Sequence, residues 1–218
     1  MGEIADRIAY FRSQLPCGVK LVAVSKFKPV EAIEEAYGAG QRVFAESRPL
    51  EFEDKVRRLP ADIEWHFIGH LQTNKVRNVV PYASLIQSID SEHLLKAVDA
   101  QAAKSAKVQD ILLEVFVATE MTKQGFSAEE AVDVAARIAQ YPNVRLRGVM
   151  AMATFTDDMD QVRREFTNAA SICGRVAAAA GIEDAELSMG MTADYPVAID
   201  CGSTMVRIGT DIFGPRVY

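Results

Sequence analysis

The chain has 218 residues, 49% hydrophobic and 25% charged, the balance of an ordinary globule long enough to bury a large core without disulfide or metal staples. A formal net charge of −6 with no block of Lys and Arg argues against nucleic acid as the main partner, and no apolar stretch approaches the roughly 20 residues of a membrane span. Cys17, Cys173 and Cys201 lie far apart without a CxxC pair, which points to ordinary thiols in a reducing compartment and to no disulfide framework.

The N-terminal "MGEIADRIAYFRSQL" carries an amphipathic helix pattern and lacks the basic start and apolar block of a signal peptide, so the chain reads as cytoplasmic. A strand follows at "KLVAVS", then a helix at "PVEAIEEAYGAG", with Pro29 suited to a first helical position and Gly38 or Gly40 to a stop. Next come strand "RVFAES", the charged helix "PLEFEDKVRRL", strand "EWHFIGH", helix "TNKVRNVV" and strand "SLIQSI". Ser91 is placed to cap "SEHLLKAVDAQAAKSA", and Ser127 with Glu130 has capping-box spacing at the start of "SAEEAVDVAARIAQ". Between those helices lie the apolar strand "DILLEVFV" and the loop "ATEMTKQGF". Strand "VRLRGVM", helix "MDQVRREFTNAASICGRVAAAAG", strand "AELSMG", a short helix "ADYPVAIDCG" and strand "TMVRIG" complete the pattern.

Eight strands alternating with helices, without a linker, repeat or low-complexity tract, predict one domain over 1–218: an α/β fold with a parallel sheet closed as a (β/α)8 TIM-type barrel. The rival is a doubly wound open sheet. In a barrel, function collects at the C-terminal strand ends. Read in order, these are Lys26; Ser47; His66 with Gly69 and His70; Gln87; Thr119; Met150; Ser188 with Gly190; and Arg207 with Gly209 and Thr210.

The last two ends, "LSMGMTADYP" and "VRIGTDIFG", concentrate glycines and hydroxyls just before helical segments, with Thr192 a plausible cap. Small residues let main-chain N–H groups approach an anion, so the pattern suits a phosphate, although turn chemistry alone also explains it. A lysine opposite such a pocket can form a Schiff base with an aldehyde, and the cofactor that offers both groups is pyridoxal phosphate. Solvation of the barrel rim is the plainer account of Lys26. His66 and His70 are four apart, which on a helix would suit a metal, but the strand pattern of "EWHFIG" and the lack of a third ligand speak against one. No P-loop, GxGxxG or GxSxG motif occurs.

The segments "LVAVSK", "WHFIGHLQTNKVR", "LSMGMTADYPVAI" and "GSTMVRIGTDIFG" resemble, in this order, the YggS/PROSC family of pyridoxal-phosphate homeostasis proteins, over about residues 5–214. The resemblance implies a barrel like the N-terminal domain of alanine racemase, with pyridoxal 5′-phosphate at the strand ends. It implies an internal aldimine on Lys26, Arg207 beside the pyridine nitrogen, and Ser188, Gly209 and Thr210 at the phosphate, helped by backbone groups near Met191 and Thr192. Met150 and His66 would line the pocket. One departure stands out: the family reads "FGEN" after the second strand, and this chain reads "FAES", with Ala45 for glycine and Ser47 for the asparagine near the cofactor ring oxygen.

The implied role is non-enzymatic cofactor homeostasis, buffering or delivery, with effects on amino-acid metabolism and pyridoxal-phosphate-dependent apo-enzymes as recipients. A donor-only arginine at the ring nitrogen disfavours carbanion chemistry. Alanine racemase adds a β-domain whose tyrosine supplies the second base of the partner subunit's site, whereas this sequence stops at Tyr218 directly after the last strand; a monomer is therefore expected. A weak amino-acid racemase or lyase is the alternative, and a cofactor-free, aldolase-like Schiff-base enzyme is a third reading.

Overall fold

The computed structural model describes residues 2–118 and 124–215. Eight parallel strands close into a barrel in the order of the chain. They are β1 (Lys20–Val24), β2 (Val43–Glu46), β3 (Glu64–Phe67), β4 (Leu85–Ile89), β5 (Gln109–Val115), β6 (Val144–Ala151), β7 (Glu186–Ser188) and β8 (Met205–Ile208). Closure is made by β1 against β8, with Val22 opposite Arg207. The open-sheet alternative is thereby set aside.

Alternation along each strand builds two separate cores. Leu21, Ala23, Phe44, Ile111, Leu113, Val206 and Ile208 face outward into a large apolar layer. Val22, Val24, Ala45, Leu112, Met150 and Met205 face inward and fill the barrel. Successive strand side chains point to opposite faces, so Arg207, two residues beyond Met205, points into the barrel. Phe52, Phe67 and Trp65 form the bulkiest corner of the outer layer, with ring centroids about 6 Å apart in edge-to-face contact.

The outer ring comprises α1 (Glu3–Gln14), α2 (Val30–Gly38), α3 (Pro49–Arg58), α4 (Val76–Val79), α5 (Glu92–Lys104), α6 (Ala128–Ala136), α7 (Met159–Ala180), α8 (Tyr195–Asp200) and α9 (Thr210–Phe213). The expected caps are in place: Ser91 Oγ accepts from the Leu94 amide at 3.3 Å, and Ser127 and Glu130 close a reciprocal capping box. Three local expectations change. Pro29 occupies the N-cap of α2 instead of its first turn. Asp194, not Thr192, stands at the N-cap of α8. Strand β8 does not end the fold, since α9 follows it directly. Among the described residues, no helix is long and apolar enough to cross a membrane.

Candidate functional site

The turn after β1 sets the site. Ser25 extends the ladder through its amide to the Ala45 carbonyl at 3.0 Å. Lys26 is half-buried, and Phe27 adopts φ 64°, the left-handed region that disfavours a residue with a Cβ. This bend carries Lys26 to a cavity of about 130 Å³ at the C-terminal strand ends, where the wall also contains Met150, Met191, Arg207, Gly209 and Thr210. Lys28 adds a second amine to the wall, and its Nζ donates to the carbonyls of Gly214 and Pro215 at 2.9 and 2.6 Å.

Arg207 is 4% exposed and is fixed on three sides. One guanidinium nitrogen donates to the Ser188 carbonyl at 2.9 Å and to Ser188 Oγ at 2.7 Å, and the other to the Ala151 carbonyl at 3.0 Å. Burial pulls its pKa down to about 10, against the attraction of Asp194 and Glu114, which leaves it charged at neutral pH. Because guanidinium only donates, the bonds beneath it acquire a direction. Ser188 Oγ accepts from Arg207 and donates to Gln87 Oε1 at 2.6 Å, and Gln87 Nε2 then donates to His66 Nδ1 at 2.9 Å. His66 therefore carries its proton on Nε2. Strands β4 and β7 are not neighbours, so the Gln87–Ser188 bond crosses the barrel interior. Burial pushes the His66 pKa down to about 3, so the imidazole at the end of this chain is neutral.

Six of the expected site residues thus share one wall: Lys26, Met150, Met191, Arg207, Gly209 and Thr210. The other four do not reach it. Ser188 is fully buried, and its hydroxyl bonds Gln87 and Arg207. His66 lies 3% exposed in the interior under Gln87. Ser47 is half-buried at the end of β2, where Gly69 crosses so closely that a Cβ there would stand 2.1 Å from the Ser47 carbonyl oxygen. Thr192 is half-buried between β7 and α8. The amide of Met191 also differs from expectation: it donates to Asp194 Oδ1 at 2.6 Å, so this residue offers the cavity its side chain. Thr119 lies outside the described residues.

His66 and His70 go separate ways, the second bonding Asp90 at 3.0 Å, and no group of three or more His, Cys, Asp or Glu among the described residues could hold a metal. Two buried features went unread. Glu114, 4% exposed on β5, has its pKa raised to about 7 by burial first and by Asp90 second, against Arg207 and His70. Glu46 and Lys55, both buried, form a charged cluster with the half-buried Glu51 beneath the Lys26 turn. The i,i+4 spacing of Glu51 and Lys55 was the one available signal, and that spacing ordinarily marks an exposed helix pair.

Comparison with known proteins matches residues 1–217 to the model of the alanine racemase N-terminal domain. The pyridoxal phosphate homeostasis protein of Pasteurella multocida is 40% identical over 208 residues, covering 92% of this chain and 88% of that protein. PipY of Synechococcus elongatus, solved without pyridoxal phosphate, superposes with a TM-score of 0.92 at 36% identity over 97% of this chain and 100% of PipY. The PipY structure with pyridoxal phosphate bound gives 0.88 at 35% identity over the same shares. Alanine racemase of Clostridium difficile shares the fold, with a TM-score of 0.79 at 14% identity, over 98% of this chain and 56% of the racemase.

Proposed function

The chain belongs to the pyridoxal phosphate homeostasis protein family, built on the alanine racemase N-terminal domain, and from that premise we propose that it binds pyridoxal 5′-phosphate through Lys26 and buffers or delivers it without transforming amino acids. The observation that carries this reading is the meeting of Lys26, Arg207, Gly209 and Thr210 on one cavity wall.

The donor set fits the cofactor. An amine answers an aldehyde, and the small Gly209 with Thr210 beside it on the cavity wall answers a phosphate. Gly209 keeps that approach open, since a Cβ there would already press on the Val24 carbonyl oxygen at 3.3 Å. When bound, the cofactor supplies a carbonyl that condenses with the lysine amine, releasing water, and a ring that withdraws electrons once its nitrogen is protonated. Arg207, charged and without an acceptor, would face the ring nitrogen and withhold a proton from it. That electronic setting suits holding the cofactor more than using it. The names of the relatives and the bound cofactor in PipY support the same reading.

In this proposal a single barrel domain acts as a monomer in the cytoplasm and passes its cofactor to pyridoxal-phosphate-dependent apo-enzymes. The test is to incubate the loaded protein with such an apo-enzyme, and separately with L-alanine in deuterated water. Reactivation of the apo-enzyme with retention of the alanine α-proton is the expected result. Exchange of that proton at an enzymatic turnover rate would move the protein to the racemase reading.

A further inference from the structure

Helix α3 reaches the Lys26 turn at three positions on one face, Arg48 at its N-cap, then Glu51 and Lys55. Lys55, only 5% exposed in its side chain, donates to the Ser25 carbonyl at 2.9 Å, to Glu46 Oε1 at 2.7 Å and to Glu51 Oε1 at 2.7 Å. An ammonium group has three N–H donors, so its capacity is filled. Glu51 Oε1 also accepts from the main-chain amide of Phe27 at 2.7 Å, and Ser25 Oγ donates to Glu46 Oε1 at 2.7 Å. The main chain is therefore gripped on both sides of Lys26, by carbonyl and hydroxyl before it and by amide after it. Phe27, the residue held at φ 64°, has the Arg48 guanidinium 4.2 Å from its ring centroid.

A buried ion pair contributes little net stability, since desolvation of its charges offsets their attraction, and apolar replacements are often as stable. The disposition of this cluster has a different consequence: it holds a disfavoured main-chain conformation next to Lys26, which lines the cavity together with Arg207. We propose that Glu46, Lys55 and Glu51 are a positioning unit for Lys26, fixing the turn so that its amine meets an aldehyde at the barrel mouth. This inference rests on the proposal that Lys26 is the covalent site.

Two ligands separate positioning from folding. Pyridoxal phosphate can link to Lys26, whereas pyridoxamine 5′-phosphate has the same ring and phosphate but no aldehyde. Glu51 is partly exposed, so Glu51→Ala is the tolerated deletion. It is expected to lower the equilibrium fraction trapped on Lys26 by borohydride about tenfold, as loss of a charged acceptor implies, while pyridoxamine phosphate binds as to wild type. In the unliganded variant the Phe27 amide should exchange with deuterium faster. Glu51→Gln keeps an acceptor oxygen for that amide and should retain most of the trapping. Adding Phe27→Gly to Glu51→Ala removes the conformational penalty and should restore it. Trapping by Glu51→Ala equal to wild type, or a parallel loss for both ligands, overturns the positioning role. A wild-type protein that traps no cofactor on Lys26 overturns the carrier reading itself, and this inference with it.

Discussion

Ser188→Ala separates two roles for one hydroxyl. The substitution removes a single oxygen from a fully buried position and with it the 2.6 Å bond to Gln87 Oε1 and the 2.7 Å bond from Arg207. Arg207 retains the carbonyls of Ser188 and Ala151, so the guanidinium stays paired. Gln87 Oε1 loses the hydroxyl that donates to it, deep in the barrel. An unsatisfied buried acceptor costs about 1–3 kcal/mol and a lost charge-assisted bond a similar amount, so the sum is about 3 kcal/mol. With a urea m-value of about 2–3 kcal/mol per molar, the unfolding midpoint should fall by about 1 M at unchanged slope. Loosening Arg207 affects every ring-bearing ligand alike, so the preference for pyridoxal phosphate over pyridoxal should stay as in wild type. A midpoint at the wild-type value together with a collapse of that preference would refute the reasoning, and would place the hydroxyl at the phosphate as the family resemblance implied.

Two buried groups predict opposite pH windows. Glu114 titrates near 7 when folded against an ordinary 4.5, so its contribution is fully present below 4.5 and is lost as pH rises through 7. Glu114→Gln should therefore be more stable than wild type at pH 8, by up to about 3 kcal/mol, and lose that advantage in acid, as read by denaturant titration across pH. His66 is depressed to about 3 from 6.5, so its contribution is intact above 6.5 and is lost as pH falls toward 3, with a limiting slope of about 1.4 kcal/mol per pH unit. His66→Gln should flatten that acid limb; an unchanged slope would mean that other groups set it. Gly190, at φ 94° with a Cβ position 2.6 Å from the Ala198 methyl, should tolerate alanine badly, losing about 3 kcal/mol in thermal unfolding. Gly209→Ala, free of that strain, should cost below about 1 kcal/mol yet weaken phosphate-bearing ligands, and equal stability losses at the two glycines would contradict the placement.

The barrel was legible because its signals are local. Period-2 strands, caps at Ser91 and Ser127 and turn residues between them each need only neighbours in sequence. Helix α9 escaped because four residues after a strand carry no period. At the site, reading the C-terminal strand ends picked out Lys26, Met150 and Arg207, which line the cavity, but a strand end does not say how deep a side chain lies. Depth follows from strand stagger around a closed barrel. Ser188 and His66 accordingly face inward yet sit below the cavity, while Gly209 and Thr210 reach it. Ala45, which stands where the family has glycine, is an inner-core residue packed with Val24 and Met150. The cluster of Glu46, Lys55 and Glu51 was invisible for a related reason: burial of a charge is decided by elements that only the fold brings together.

The most direct test of the account is borohydride reduction of the purified protein with pyridoxal phosphate, followed by peptide mass mapping. The account predicts a phosphopyridoxyl group on the peptide containing Lys26, and none in Lys26→Ala. Absence of label, or label scattered over surface lysines with Lys26 spared, would contradict the cofactor, the lysine and the pocket together.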